Sequence, residues 1–493
     1  MKSRIFSSLS LRRNALRTAA LSGLLVAMQA TTTIATTENR LPTLGDSANA
    51  VISPDKEKSV GTAWLRMLRA QAATIEDPLL LDYVQHLLLR LASNSELKNP
   101  DLSLVVVDSP DINAFAVPGG IVGVNAGLFL YARNENELAA VLAHELAHLS
   151  QRHFARGLEK QNANSITALT ALLASVALMA TAGADAGVAA LATTQAAMID
   201  QQLRFSRHNE TEADEIGMQT LARAGMATAA MPDFFEQMAK ANRFSGEKPP
   251  DFLLTHPVTE TRITESRARA QQYPAKRDLD SLEFQLMKAR IMTRFAKDPA
   301  VMLKQLEAQR AESNAANETL DYGLALTYLR QYQFDKAHKL TASLIALRPE
   351  RITYRLAEAE VFLAERHFKE CINTLNAAKA LSPDNFAINA MLAESNLRAG
   401  NTDEAILVLR QLLANYHSAP SLWNMLAESY GKKGDMLGVY QSQAEYYFEH
   451  GLTDRAIEQL RFAIPLAEKN FETSARLQNR IKEMEFSRHD IAL

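Results

Sequence analysis

The last third of the 493-residue chain carries a repeat that leaves little choice of architecture. Ala325, Ala359, Ala393 and Ala427 recur at intervals of 34, as do Ala337, Cys371 and Ala405. Pro349 and Pro383 close the first two units, while Tyr328, Phe362 and Tyr430 share an aromatic position that Asn396 interrupts. Small residues at a fixed period let paired helices approach, and each proline stops the second helix of a pair. One such unit cannot bury its apolar face alone, so the units must stack into an α-solenoid with a concave surface for peptides or partner proteins. They fall near 318–351, 352–385, 386–419 and 420–453; past Val439 the period breaks, and Ala444 and Ala456 restore only the 12-residue interval within a unit. A repeat domain over 318–485 with a one-dimensional core of its own is expected, so the part before it should fold without it. Cys371, the only cysteine, falls at a small-residue packing position and reads as structural.

The first half holds a different constraint, Val141-Leu-Ala-His144-Glu145-Leu-Ala-His148-Leu149, within a helical pattern running from Glu135 to Lys160. Residues four apart on a helix overlie one another, so His144 and His148 present their rings to one point, the spacing a single zinc ion needs. Glu145 can reach a water on that metal and is the candidate general base. The intervening Leu and Ala bury the helix, and buried histidines and a buried carboxylate need partners. One Zn2+ per chain would satisfy all three.

The third ligand has three candidates, Glu210, His153 and His208. The extended metzincin pattern fails, because its last ligand position is Phe154 and its glycine position is Gln151. Glu210 and Asp214 share a face of a predicted helix, so Glu210 can complete the set and Asp214 can accept from a liganding histidine. A solvated acidic face competes with this reading, since Glu210, Glu212, Asp214 and Glu215 cluster. His256 precedes Pro257, which pushes it out of the helical region; a structural and a catalytic role are both open.

A net charge of -3 gives no sign of a nucleic-acid partner. Lys2, Arg4, Arg12, Arg13 and Arg17 precede an apolar run at 19–28, with no acidic residue before Glu38. This reads as a signal peptide over 1–35, with an organelle transit peptide as the competing reading, and a polar extended leader follows over 36–62. Within an α+β, mainly α domain at 63–274, Leu102 to Val107 reads as a strand and Pro118-Gly119-Gly120 joins two more. An edge strand of that hairpin can pair with an extended peptide, or the hairpin only covers the core. The apolar stretch 165–199 reads as a helical pair that packs over the site or touches a membrane surface, and 275–317 as a helical connector.

The combination of His144-Glu145-x-x-His148, Glu210-x-x-Ala213-Asp214, Thr255-His256-Pro257, a signal peptide and tetratricopeptide spacing resembles the M48 (Ste24-type) zinc metallopeptidases. The resemblance implies a gluzincin-like fold with zinc on His144, His148 and Glu210, Glu145 as base and Asp214 behind a ligand. It places His256 near the metal, either steadying the transition state or taking the water's place at rest. It also implies a periplasmic enzyme of a Gram-negative bacterium, extending to the inner face of the outer membrane. Its substrates would be unfolded or misassembled outer-membrane β-barrel proteins, and its repeats would contact the barrel-assembly machinery. A latent or non-proteolytic chaperone or adaptor is the alternative, though a purely structural zinc has no use for an adjacent base.

Overall fold

Ser53 and Pro54 start the first helix of the computed structural model, which describes residues 52–98, 101–160, 207–244, 250–276, 281–312, 317–416 and 418–492. Helix α1, Pro54–Gln71, begins with the Ser53 hydroxyl accepting from the Lys56 amide and proline in its first turn, both suited to a helix start. The stretch read as a leader through residue 62 is therefore helical over its last residues. In α2, Pro78–Ala92, the Asp77 carboxylate accepts from the Leu79 and Leu80 amides at 3.1 Å each.

Strands β1 (Ser103–Val107), β2 (Ala114–Val117) and β3 (Ile121–Asn125) form a sheet in the order β1-β3-β2. β3 runs parallel to β1 and antiparallel to β2, which leaves β2 at an edge. The β2–β3 turn holds Gly119 and Gly120 at φ 90° and 83°, a region that residues with side chains avoid. Val106, Ala114, Val122 and Val124 join the core containing α2, while Val105, Val107, Phe115 and Val117 pack with Trp64, Leu65 and Leu68 of α1. With both faces covered, the strands carry apolar residues throughout.

Helices α3 (Gly127–Tyr131), α4 (Glu135–Ser150) and α5 (His153–Lys160) follow. The pattern from Glu135 to Lys160 reads as one helix, but the structure divides it. Gln151 caps α4, and Arg152 takes a φ of 49°, outside the helical region. The Arg152 guanidinium fixes that turn by donating to Ile52 O at 2.9 Å and Glu57 Oε1 at 3.1 Å. Apolar spacing continues through the break, so periodicity alone does not reveal it.

Helices α6 (Arg207–Arg223), α7 (Ala230–Phe244), α8 (Asp251–Thr255) and α9 (Glu260–Ala270) complete this half. α6 packs on α4, and at Gly217 a Cβ would stand 3.1 Å from both Ala143 O and His144 N. The apolar stretch 165–199 lies outside the described residues. No described helix is long and apolar enough to cross a membrane.

The connector forms α10 (Leu282–Phe295) and α11 (Pro299–Glu312). Paired helices then run in series: α12 (Glu318–Arg330) and α13 (Phe334–Leu347), α14 (Ile352–Ala364) and α15 (Phe368–Leu381), α16 (Phe386–Ala399) and α17 (Thr402–Asn415), α18 (Pro420–Lys433) and α19 (Met436–Glu449), α20 (Thr453–Leu466) and α21 (Phe471–Ala492). Tyr332, Arg366, Gly400 and Gly434 occupy one position of the repeat, and all are left-handed, with φ of 56°, 65°, 86° and 81°. The turn geometry is thus part of the repeat even where the residue is not glycine.

The described helices and sheet all belong to one compact unit, Ser47–Leu493. One apolar core runs from Leu80 and Leu88 of α2 through Phe129, Leu142 and Phe284 to Tyr322, Tyr354 and Met391 of the repeats. Polar ties follow the same line. Asp77, which caps α2, receives Arg290 Nε at 2.6 Å, and the same guanidinium pairs with Glu360 of α14. Arg69 of α1 meets Glu449 at 2.8 Å and donates to Ser418 O at 2.9 Å. The expected independent core of the repeats is therefore shared with the first half.

Candidate metal centre

Asn134 starts α4 by accepting from the Glu137 amide at 3.0 Å, and Glu137 reaches back to the Arg133 amide at 2.7 Å. This fixes the helix from which His144, Glu145 and His148 project, each 1% exposed. Gly217 lets α6 close on that helix, which brings Glu210 and Asp214 to the two histidines. Both acidic side chains are buried, so the solvated-face reading does not hold for them. Glu215 is exposed, as is His208.

His144, His148, Glu210 and His256 bring one potential ligand atom each to within 4.8 Å of one another. His144 Nε2 and His148 Nε2 face each other at 3.0 Å. Glu210 lies 3.5 Å from each of these nitrogens. His256 turns Nδ1 into the group, 3.3 Å from His144 Nε2 and 3.1 Å from Glu210 Oε1. Its other nitrogen lies 3.6 Å from Glu145 Oε1. α8 ends at Thr255, and His256 sits at ψ 76°, out of the helical region as its proline neighbour requires. Phe252 stacks on its ring at 4.8 Å, and the Phe252 amide donates to Ile112 O, anchoring the segment just ahead of β2.

Behind the histidines lies a layer of fixed partners. His144 Nδ1 approaches Asp214 Oδ1 at 3.0 Å, and His148 Nδ1 approaches His153 Nδ1 at 2.8 Å. Arg262 of α9 grips Asp214 through two nitrogens at 2.6 and 2.8 Å, reaches Glu210 Oε2 at 2.8 Å, and donates to Pro257 O at 3.0 Å. One guanidinium thus holds both acidic residues and the His-Pro turn, a use of its planar fork that lysine could not match. Reading the sequence for ligands passes over Arg262. Two buried carboxylates without a nearby counter-charge were the signal to look for one.

Burial alone would lower the His144 pKa, but Asp214 and Glu210 outweigh it and push it up to about 9. Burial and the adjacent His144 charge hold His148 well below the ordinary histidine value. Burial works against the Glu210 charge, yet His256 and Arg262 keep its carboxyl well below the usual range. Burial raises the Glu145 carboxyl, with His256 and His144 opposing.

These residues fit a metal. With the Nδ1 atoms directed outward at partners, the two Nε2 lone pairs point at each other, an arrangement only a proton or a cation relieves. A carboxylate joins them, and two imidazoles with one carboxylate suit a divalent transition metal. Glu145 stands at the side of the group, and its Oε1 has no hydrogen-bond partner among the described residues.

The β2 edge reaches this carboxylate. Asn125 donates to Asn113 O at 2.9 Å, so by antiparallel alternation the backbone groups of Phe115 and Val117 face β3. Those of Ala114 and Ala116 face outward, and the Ala116 amide donates to Glu145.

A mainly helical domain with two histidines and a flanking glutamate on one helix, carrying a helical-repeat solenoid, defines a metallopeptidase class. The profile of peptidase family M48 matches residues 78–270, and a tetratricopeptide repeat profile matches 362–428. The chain belongs to peptidase family M48 and is a metalloendopeptidase of that family. A relative in Vibrio cholerae is 35% identical over 444 residues, covering 82% of this chain and 90% of that one. The beta-barrel assembly-enhancing protease of Escherichia coli strain K12 is 33% identical over 445 residues, covering 90% and 91%. The mitochondrial metalloendopeptidase OMA1 of Arabidopsis thaliana is 33% identical over 166 residues, covering 34% and 31%.

Proposed function

We propose that the chain is a periplasmic zinc endopeptidase that acts on unfolded or misassembled outer-membrane β-barrel proteins and supports their assembly. The observation that carries the reading is the buried convergence of His144 Nε2, His148 Nε2 and the Glu210 carboxylate beside a Glu145 oxygen that takes no hydrogen bond among the described residues. In this reading those three residues hold one zinc ion. When bound, zinc polarises the scissile carbonyl and lowers the pKa of its water to roughly 7. Glu145 takes the water's proton and passes it to the leaving amine. Asp214 orients His144, and Arg262 keeps both acidic residues ionised. The outward backbone groups of Ala114 and the Ala116 carbonyl on β2, which Glu145 does not take, offer an extended peptide main-chain hydrogen bonds without side-chain selectivity, which suits unfolded substrates.

Export is supported by the basic, acid-poor N-terminus and its short apolar run, which lie outside the described residues. The substrate class is supported by the name of the Escherichia coli relative. The solenoid supplies a surface for protein partners, and the barrel-assembly machinery is the partner proposed.

His256 favours a second reading, that the enzyme rests in a latent state and serves then as a chaperone or adaptor. Its Nδ1 stands where a fourth ligand would, and four protein ligands leave no open position of the kind a catalytic zinc keeps. We assign it the inhibitory role. The test is cleavage of an unfolded outer-membrane β-barrel protein by zinc-loaded wild type and His256→Ala, each with a chelated control. Chelation should abolish both activities, and His256→Ala should cleave faster than wild type. A loss of one to three orders of magnitude would assign His256 to the transition state instead. Cleavage that survives chelation would contradict the zinc reading.

A further inference from the structure

His153, one of the three candidate third ligands, stands outside the metal group and behind His148. It lies five residues after His148, a separation that points the two side chains to different sides of a continuous helix. The break at Arg152, with its φ of 49°, lets His153 start a new helix with its ring edge-on to His148 at 4.8 Å. Both nitrogens of His153 are occupied: Nδ1 meets His148 Nδ1 at 2.8 Å, and Nε2 meets Glu212 Oε2 at 3.1 Å. Arg156, one turn along α5, closes on Glu212 at 2.5 Å. The ring of His153 is buried and Glu212 is partly so.

The chemistry of this row runs one way. Arg156 keeps Glu212 an anion, which only accepts, so His153 carries its proton on Nε2 and donates it to Glu212. His153 Nδ1 is then a bare acceptor, and at 2.8 Å the proton between the two rings belongs to His148 Nδ1. That leaves the His148 Nε2 lone pair facing His144 and Glu210.

We propose that His153, held by Glu212 and Arg156, is a positioning residue that locks His148 in the tautomer and orientation that present Nε2 to the metal. The inference rests on the metal-centre reading above. It gives His148 a partner corresponding to Asp214 behind His144, with a neutral ring in place of a carboxylate. It also gives the left-handed Arg152 turn a purpose, since that turn delivers His153.

The test is zinc affinity, read by competition with a chelator, for wild type, His153→Leu, His153→Asn and His148→Ala, beside thermal unfolding of the metal-free proteins and visible spectra of their cobalt forms. Leucine fills much of the volume but cannot accept, so His153→Leu should lose 10–100-fold in affinity, the usual cost of removing such a partner. The amide oxygen of His153→Asn stands where Nδ1 stood and can accept from His148 Nδ1, and this variant should recover most of the loss and keep the wild-type cobalt spectrum. Unchanged affinity in His153→Leu, or equal losses in the leucine and asparagine variants, would overturn the proposal. Zinc binding by His148→Ala equal to wild type would overturn the metal centre itself, a result separate from either.

Discussion

Asp214, Arg262 and His153 show how much of the site lies behind its ligands. The imidazoles of His144 and His148 are each met on the far side by a group fixed in turn by an arginine: Asp214 by Arg262, and His153 by Arg156 through Glu212. His144 and His148 were legible in the sequence from helical spacing and burial, whereas Glu210, set in an acidic cluster, was marked only by the family resemblance. The arginines were not, because nothing in local spacing says which helix will deliver a counter-charge. The same contacts give a pH prediction. His144, pushed up to about 9, carries a proton at neutral pH in the metal-free protein, and zinc must displace it. Zinc binding at pH 7 should therefore release about one proton per ion from His144, and the release should fade as pH rises through 9. Calorimetric titration in buffers of different ionisation enthalpy measures it. Heats independent of the buffer would contradict the protonation assigned to His144.

Among the elements, the pairing of α4 with α6 decides whether a site exists. Gly217 permits it, since a Cβ there meets the backbone of Ala143 and His144 at 3.1 Å. Gly217→Val should overpack this contact, costing about 1–3 kcal/mol of stability and weakening zinc binding, because Glu210 and Asp214 move out with α6. Denaturant unfolding and chelator competition read the two effects, and a variant normal in both would remove the glycine from the account. The β2–β3 hairpin was readable from Pro118-Gly119-Gly120, since two consecutive glycines after a proline mark a tight turn. The division of α4 from α5 was not, because Arg152 is a residue type that gives no turn signal and its left-handed backbone depends on contacts with Ile52 and Glu57. The repeat turns show the same limit: Gly400 and Gly434 announce them, whereas Tyr332 and Arg366 adopt the same conformation unannounced.

For the whole molecule, the repeat period foretold an α-solenoid but not what the solenoid leans on. Apolar stripes reveal that a helix face is covered, not by which element. In the structure Tyr322, Tyr354 and Met391 share a core with α2 and α4, and Arg69 finds Glu449 across the chain. Deleting everything after residue 317 removes this cover and leaves the apolar residues of α2 that pack on the repeats, Leu81 among them, open to water, at about 1.5–3 kcal/mol for each large side chain fully exposed. The truncated protein should unfold at lower temperature or aggregate, as read by circular dichroism and gel filtration. A truncation with full-length stability and zinc affinity would contradict a shared core. In the proposed chemistry Glu145 acts as the base beside a metal it does not bind. Glu145→Gln preserves shape and removes the ability to take a proton. The direct measurement is zinc content and cleavage of an unfolded β-barrel protein on the same sample of that variant. One zinc per chain and no cleavage are expected, whereas cleavage at the wild-type rate with zinc in place would contradict Glu145 as the base.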